Sequence, residues 1–64
     1  MKYLKEIRKE AGLDQRQMAE LLNISYGYYK QIENDFRQPS FVLLLKIKKE
    51  FKEIDMNKLF EDAS

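Results

Sequence analysis

Apolar residues recur at three- and four-residue intervals along the whole chain, broken by short polar punctuation, and no stretch alternates strictly. That periodicity predicts amphipathic helices around a shared core. Leu4, Ile7 and Ala11 mark the inner face of a first helix, and Gly12 stands where a left-handed residue would end it. Asp14 opens a second helix: its carboxylate can accept from the N–H of Gln17 while the Gln17 side chain reaches back, a capping box. Met18, Ala19 and Leu22 form the inner face, and Asn23, which tolerates positive φ, turns the chain. Ser25 caps a third helix, Tyr26 to about Asn34, with Tyr29 and Ile32 inward and the Tyr29 hydroxyl reaching the edge of the core. Pro39 disfavours helix at Gln38, and Ser40 caps a fourth helix from Phe41 to about Phe51. Its stripe is Phe41, Leu44, Ile47 and Phe51. Asp55 caps a last short helix in which Met56, Leu59 and Phe60 are apolar. The pattern predicts an all-α fold, a compact five-helix domain covering residues 1–64.

Helices two and three carry the most information. Two short helices joined by about three residues must cross steeply. Ala19 supplies the small residue the crossing needs, and Met18, Leu22, Ile24, Tyr29 and Ile32 can clamp the corner. The outer face of the third helix then carries Ser25, Tyr26, Gly27, Lys30 and Gln31. That face is polar and about as wide as the major groove of DNA admits.

Composition narrows the function. With no Cys and no His, disulfides are impossible, and zinc, haem and iron–sulfur sites lose their usual ligands. No nucleophile–base constellation is present, so an enzyme is not expected, nor is any cofactor. The opening Met1-Lys2-Tyr3-Leu4-Lys5-Glu6 lacks the apolar stretch of a signal peptide, and no apolar run approaches the roughly 20 residues of a membrane span. A soluble, cytoplasmic binding module is expected. The net charge is only +1, with 12 Lys+Arg against 11 Asp+Glu, so a nucleic-acid face must come from segregating charges in space.

The chain resembles the lambda-repressor-like helix-turn-helix DNA-binding domains of the Cro/CI (Xre) type. The resemblance runs from Leu4-Lys5-Glu6-Ile7-Arg8 through Ile32-Glu33-Asn34 and Pro39-Ser40 to Leu59-Phe60, with Arg8, Gln15, Ala19, Glu33 and Pro39 all matching. It implies that the third helix is the recognition helix, with Ser25, Tyr26, Gly27, Lys30 and Gln31 meeting base edges. Gln31 can pair bidentately with adenine, and Lys30 can donate to guanine. It also implies that Gln15 meets backbone phosphate at the start of the second helix, and that Asn34, Arg37 and Gln38 belong to the loop that grips the sugar-phosphate backbone. Arg16 and Tyr28 are further candidates for backbone contact, and Arg8 with Glu33 matches an ion pair bridging the first and third helices.

Four features depart from the family pattern. Asp35 stands where glycine usually follows Asn34, Gly27 interrupts the recognition helix, Tyr26 and Tyr28 are prominent, and Lys48 replaces a small residue. The two tyrosines suit either DNA or a protein interface. Lys46, Lys48, Lys49 and Lys52 read as a solvated helix face. Val42 and Leu45 fall partly outside the stripe of the fourth helix. They either pack loosely under the last helix or form a two-fold dimer seam with Met56 or Phe60. The expected function is sequence-specific binding of double-stranded DNA by a homodimeric repressor on a palindromic operator. The alternative is a protein-interaction module of antitoxin or anti-repressor type, which uses the same fold to hold a regulatory protein partner.

Overall fold

The computed structural model describes residues 1–63. Among them five helices follow in order: α1 (Lys2–Glu10), α2 (Gln15–Leu21), α3 (Tyr26–Glu33), α4 (Phe41–Glu50) and α5 (Met56–Ala63). There is no strand among the described residues, and the all-α reading holds.

The helix ends follow from local chemistry. Asp14 accepts from the Gln17 N–H at 2.7 Å and the Gln17 side chain accepts from the Asp14 N–H at 2.9 Å, which completes the capping box of α2. Ser25 and Ser40 accept from Tyr28 and Leu43 to cap α3 and α4, and Asp55 accepts from Asn57 and Lys58 at the start of α5. The first three helices all end in a left-handed residue, Gly12 (φ 73°), Asn23 (φ 57°) and Asp35 (φ 64°). At each, its own N–H and the one that follows return to carbonyls of the helix end. Gly12 bonds Lys9 and Leu13 bonds Arg8; Asn23 bonds Glu20 and Ile24 bonds Ala19; Asp35 bonds Ile32 and Phe36 bonds Gln31. This arrangement satisfies carbonyls that a helix end otherwise leaves without partners. Asp35 therefore does what glycine does elsewhere. Its carboxylate meets the amino group of Met1 at 2.8 Å, which offsets the steric cost of the left-handed backbone.

The core gathers Leu4 and Ile7 of α1, Met18, Ala19 and Leu22 around α2, Tyr29 and Ile32 of α3, and Leu59 of α5. Three expectations need correcting. Ala11 is exposed, because it is already the C-cap of α1. Phe41 is 63% exposed, while Leu43, Leu44 and Ile47 supply the buried stripe of α4, with Phe51 half-buried behind them. At roughly 100° per residue, a stripe centred between Leu43 and Leu44 turns Phe41 more than 90° away. Lys48 is not simply solvated: its ammonium donates to the carbonyls of Lys52 and Ile54, closing the turn between α4 and α5. A larger side chain at 48 thus does the work of a C-terminal cap.

The α5 helix docks on α1 through polar clasps as well as Leu59. Asp62 accepts from the Leu4 N–H at 3.0 Å, capping α1 from a distance, and the Tyr3 hydroxyl accepts from the Asp55 N–H at 2.9 Å. No described helix is long and apolar enough to cross a membrane.

The exposed capping box of α2 gives a local stability test. Asp14→Ala should lower unfolding free energy by about 1 kcal/mol in urea titrations. A loss near zero would mean that tertiary packing alone sets the start of α2.

Candidate nucleic-acid interface

The corner between α2 and α3 is organised by one buried carboxylate. Glu33, 2% exposed, is gripped by Arg8 through Nε (2.9 Å) and Nη2 (3.1 Å) and accepts from the Tyr29 hydroxyl and from Gln15 Nε2 (3.2 Å). Arg8 Nη1 also donates to the Leu13 carbonyl at 2.8 Å, tying down the turn between α1 and α2. Burial pushes the Glu33 pKa up, but the hydrogen bonds from Arg8, Tyr29 and Gln15 outweigh it and hold the group below its ordinary 4.5. The bond to Glu33 raises the Arg8 pKa despite partial burial. Burial first, and then donation to Glu33, push the Tyr29 phenol far up, so it stays a neutral donor.

The Tyr29 hydroxyl therefore ends inside the core on Glu33, not at its edge as expected. Its spacing of four residues from Glu33 was the available signal, since such a pair shares one helix face. Gln15, expected on phosphate, bonds Glu33 in the free protein.

Opposite that buried face, α3 presents Ser25, Gly27, Lys30 and Gln31 to solvent, with Tyr26 and Tyr28 half-buried on either side. Cations lie against both rings. Arg16 is 4.4 Å and Lys30 5.3 Å from the centre of the Tyr26 ring, and Arg37 is 5.1 Å from that of Tyr28. The near-neutral chain thus gathers three cations around the first turns of α3. A cleft of about 410 Å³ lies beside them, bounded by Arg8, Asp14, Gln15, Arg16 and Tyr26. Asn34, Arg37 and Gln38 are exposed in the segment after α3. Val42, Leu45 and Phe60 are also exposed and Met56 is half-buried; they lie on α4 and α5, elements separate from this face. Phe36, which the sequence did not single out, is 84% exposed beside Arg37. An apolar residue at that position behind a helix end commonly folds back on the helix, and here it does not.

Two short helices in contact across a turn of a few residues, the second with a polar outer face, are the arrangement of a helix-turn-helix, and a helix-turn-helix family model matches residues 4–59. The chain belongs to the helix-turn-helix family. It is similar to the uncharacterized HTH-type transcriptional regulator YqaF of Bacillus subtilis (strain 168), 38% identical over 62 residues, covering 97% of this chain and 80% of that protein. It is also similar to the HTH-type transcriptional regulator ImmR of the same organism, 44% identical over 46 residues. That match covers 72% of this chain but only 36% of ImmR. No solved structure matches significantly. Membership makes the chain a DNA-binding module of the transcriptional-regulator type, not an enzyme.

The Glu33 cluster yields a pH prediction. A carboxylate whose folded pKa lies below its unfolded value stabilises the fold above the unfolded pKa, and the contribution is lost as pH falls through the folded one. The parent protein should lose urea resistance below about pH 4.5. Glu33→Gln should be less stable at pH 7 by about 3 kcal/mol, because it leaves Arg8 without its counter-charge. Its stability should also depend less on pH than the parent's. Equal acid slopes in the two proteins would show that Glu33 is not the group being titrated.

Proposed function

We propose that this helix-turn-helix chain is a sequence-specific repressor that reads the major groove with α3, as a homodimer on a palindromic operator. The observation that carries this reading is the outward face of α3, where Lys30 and Gln31 are exposed and Arg16, Lys30 and Arg37 lie against its two tyrosines. Ser25, Tyr26, Gly27, Lys30 and Gln31 meet base edges; Gln15, Arg16, Tyr28, Asn34, Arg37 and Gln38 meet the backbone. Gln31 takes an adenine through its amide, and the cations supply a salt-dependent affinity without sequence preference. Occupancy of the promoter is the whole mechanism, so the protein binds and performs no chemistry.

The dimer reading is supported by apolar exposure. Val42 and Leu45 share one side of α4 and are 63% and 48% exposed, with Phe60 of α5 at 41%. A two-fold pairing there would set two recognition helices about 34 Å apart, matching half-sites one turn apart. The same exposed residues, with Phe36 and Phe41, favour the second reading, a module that holds a regulatory protein partner. Salt separates the two, since steep loss of duplex affinity with rising salt belongs only to phosphate contact.

The test is selection from a random duplex pool, followed by a salt titration on the winner. An enriched palindrome whose binding falls steeply with salt supports the repressor reading; no enrichment and salt-insensitive binding point to the protein-partner reading. On the winning duplex, Gln31→Ala should cost about 1–3 kcal/mol, concentrated at one base pair of each half-site. Arg16→Ala should weaken all sequences alike and lower the salt slope by about one. A uniform loss for Gln31→Ala, or a site-selective one for Arg16→Ala, would contradict those roles. For the dimer, Val42→Glu combined with Leu45→Glu should sediment as a monomer and lose preference for paired half-sites. A variant that still dimerises would place the seam elsewhere.

A further inference from the structure

Arg16 stands in the first turn of α2, the end that the helix dipole makes partly positive and where a cation is disfavoured. Its guanidinium reaches across to α3 and lies 4.4 Å from the centre of the Tyr26 ring. Arg37 sits in the exposed segment after α3, where a long side chain has most freedom, yet its guanidinium lies 5.1 Å from the centre of the Tyr28 ring. Each ring thus carries an arginine from another element. Lys30, one turn beyond Tyr26, brings a second cation to 5.3 Å from that ring. Cation–ring contacts occur about once per 70–80 residues, so three on two rings of a single helical turn are a concentration.

The two rings face different ways. At roughly 100° per residue, side chains two apart leave a helix about 160° apart, so Tyr26 and Tyr28 diverge to opposite sides of α3. Both are half-buried, which restricts them, whereas Arg16 and Arg37 are exposed. An exposed arginine otherwise samples many rotamers, and a ring beside it removes part of that freedom before any ligand arrives. The contact costs the arginine none of its donors. A ring attracts the cation through its π-face, and the five guanidinium N–H groups remain for anionic oxygens.

We propose that Tyr26 and Tyr28 are positioning residues, whose rings hold Arg16 and Arg37 on opposite sides of α3 for the phosphates of a bound duplex. The proposal rests on the DNA-reading role of α3 and gives the rings a task separate from any contact their hydroxyls make. The strength of the backbone grip is then set by each pair of ring and arginine, not by the arginine alone.

The experiment compares Phe and Leu variants at positions 26 and 28, on the selected duplex and on a scrambled one. Tyr→Phe keeps the ring and drops the hydroxyl; Tyr→Leu drops both, so the difference between them isolates the ring. That difference should be about two- to ten-fold in affinity at each position, the cost of ordering one long side chain on binding. It should be equal on both duplexes, since phosphates carry no sequence. It should shrink for position 26 in an Arg16→Ala background and vanish for position 28 in an Arg37→Ala background. The salt slope should stay at the parent's value in Tyr26→Leu and Tyr28→Leu, because each arginine still reaches its phosphate, while Arg16→Ala lowers it. A measurement on the free protein needs neither DNA nor a stable Leu variant. Ring currents should displace the side-chain methylene proton shifts of Arg16 and Arg37 in the parent and in the Phe variants. Three results overturn the proposal while leaving DNA reading intact. They are a ring effect confined to the selected duplex, a ring effect undiminished without its arginine, or arginine methylene shifts at random-coil values in the folded parent. A parent protein that binds no duplex in a salt-dependent way would remove the reading on which the proposal stands, and the proposal with it.

Discussion

A carboxylate removed from water must be given nearly everything water gave it, and Glu33 is that group here. Leaving such a charge buried without partners would cost several kcal/mol, so the surrounding elements are constrained to deliver donors. Arg8 comes from α1, Gln15 from the first position of α2, and Tyr29 from the preceding turn of α3. Each of the first three helices is thus tied to one pair of oxygen atoms. The crossing of α2 and α3, on which a helix-turn-helix depends, is held by polar geometry inside an apolar clamp of Met18, Ala19, Leu22 and Ile32. Apolar packing alone is non-directional, and a four-donor carboxylate is not.

With the inner face of α3 pinned, the outer face has a defined orientation. The rest of the charge distribution follows that division. Arg8 is consumed by the core, whereas Arg16, Lys30 and Arg37 lie beside rings on the outer side. Asp35, within the exposed segment Asn34–Gln38, is paired with the amino group of Met1. A net charge of +1 therefore understates the local field, since Glu33 and Asp35, which flank the end of α3, are paired with Arg8 and with the amino group of Met1.

How much of this the sequence disclosed depended on whether the signal was local. Caps and turns were readable because Asp14, Gln17, Asn23, Ser25 and Ser40 act on backbone within three residues. The Arg8–Glu33 pair was legible only through family resemblance, since nothing local links residues 25 apart. The facing of α4 was misread because Phe41, Val42, Leu43, Leu44 and Leu45 are all apolar, so periodicity could not choose among them. Packing chose Leu43 and Leu44 and left the other three outside. The Tyr29 hydroxyl, the Lys48 clamp and the reach of Asp62 to α1 depend on tertiary placement of long or polar side chains. Gly27 was visible as an oddity of the recognition helix, but only the open space around it shows that the fold does not require it.

The central claim is that α3 and its flanking cations, not α4 and α5, meet DNA. Mapping amide chemical shifts while titrating the protein with its selected duplex tests this most directly. The account predicts changes concentrated on Gln15, Arg16, the segment 25–31 and the segment 34–38, with Leu43, Ile47 and Leu59 undisturbed. Changes centred on Val42, Leu45 and Phe60, with the segment 25–31 silent, would contradict it.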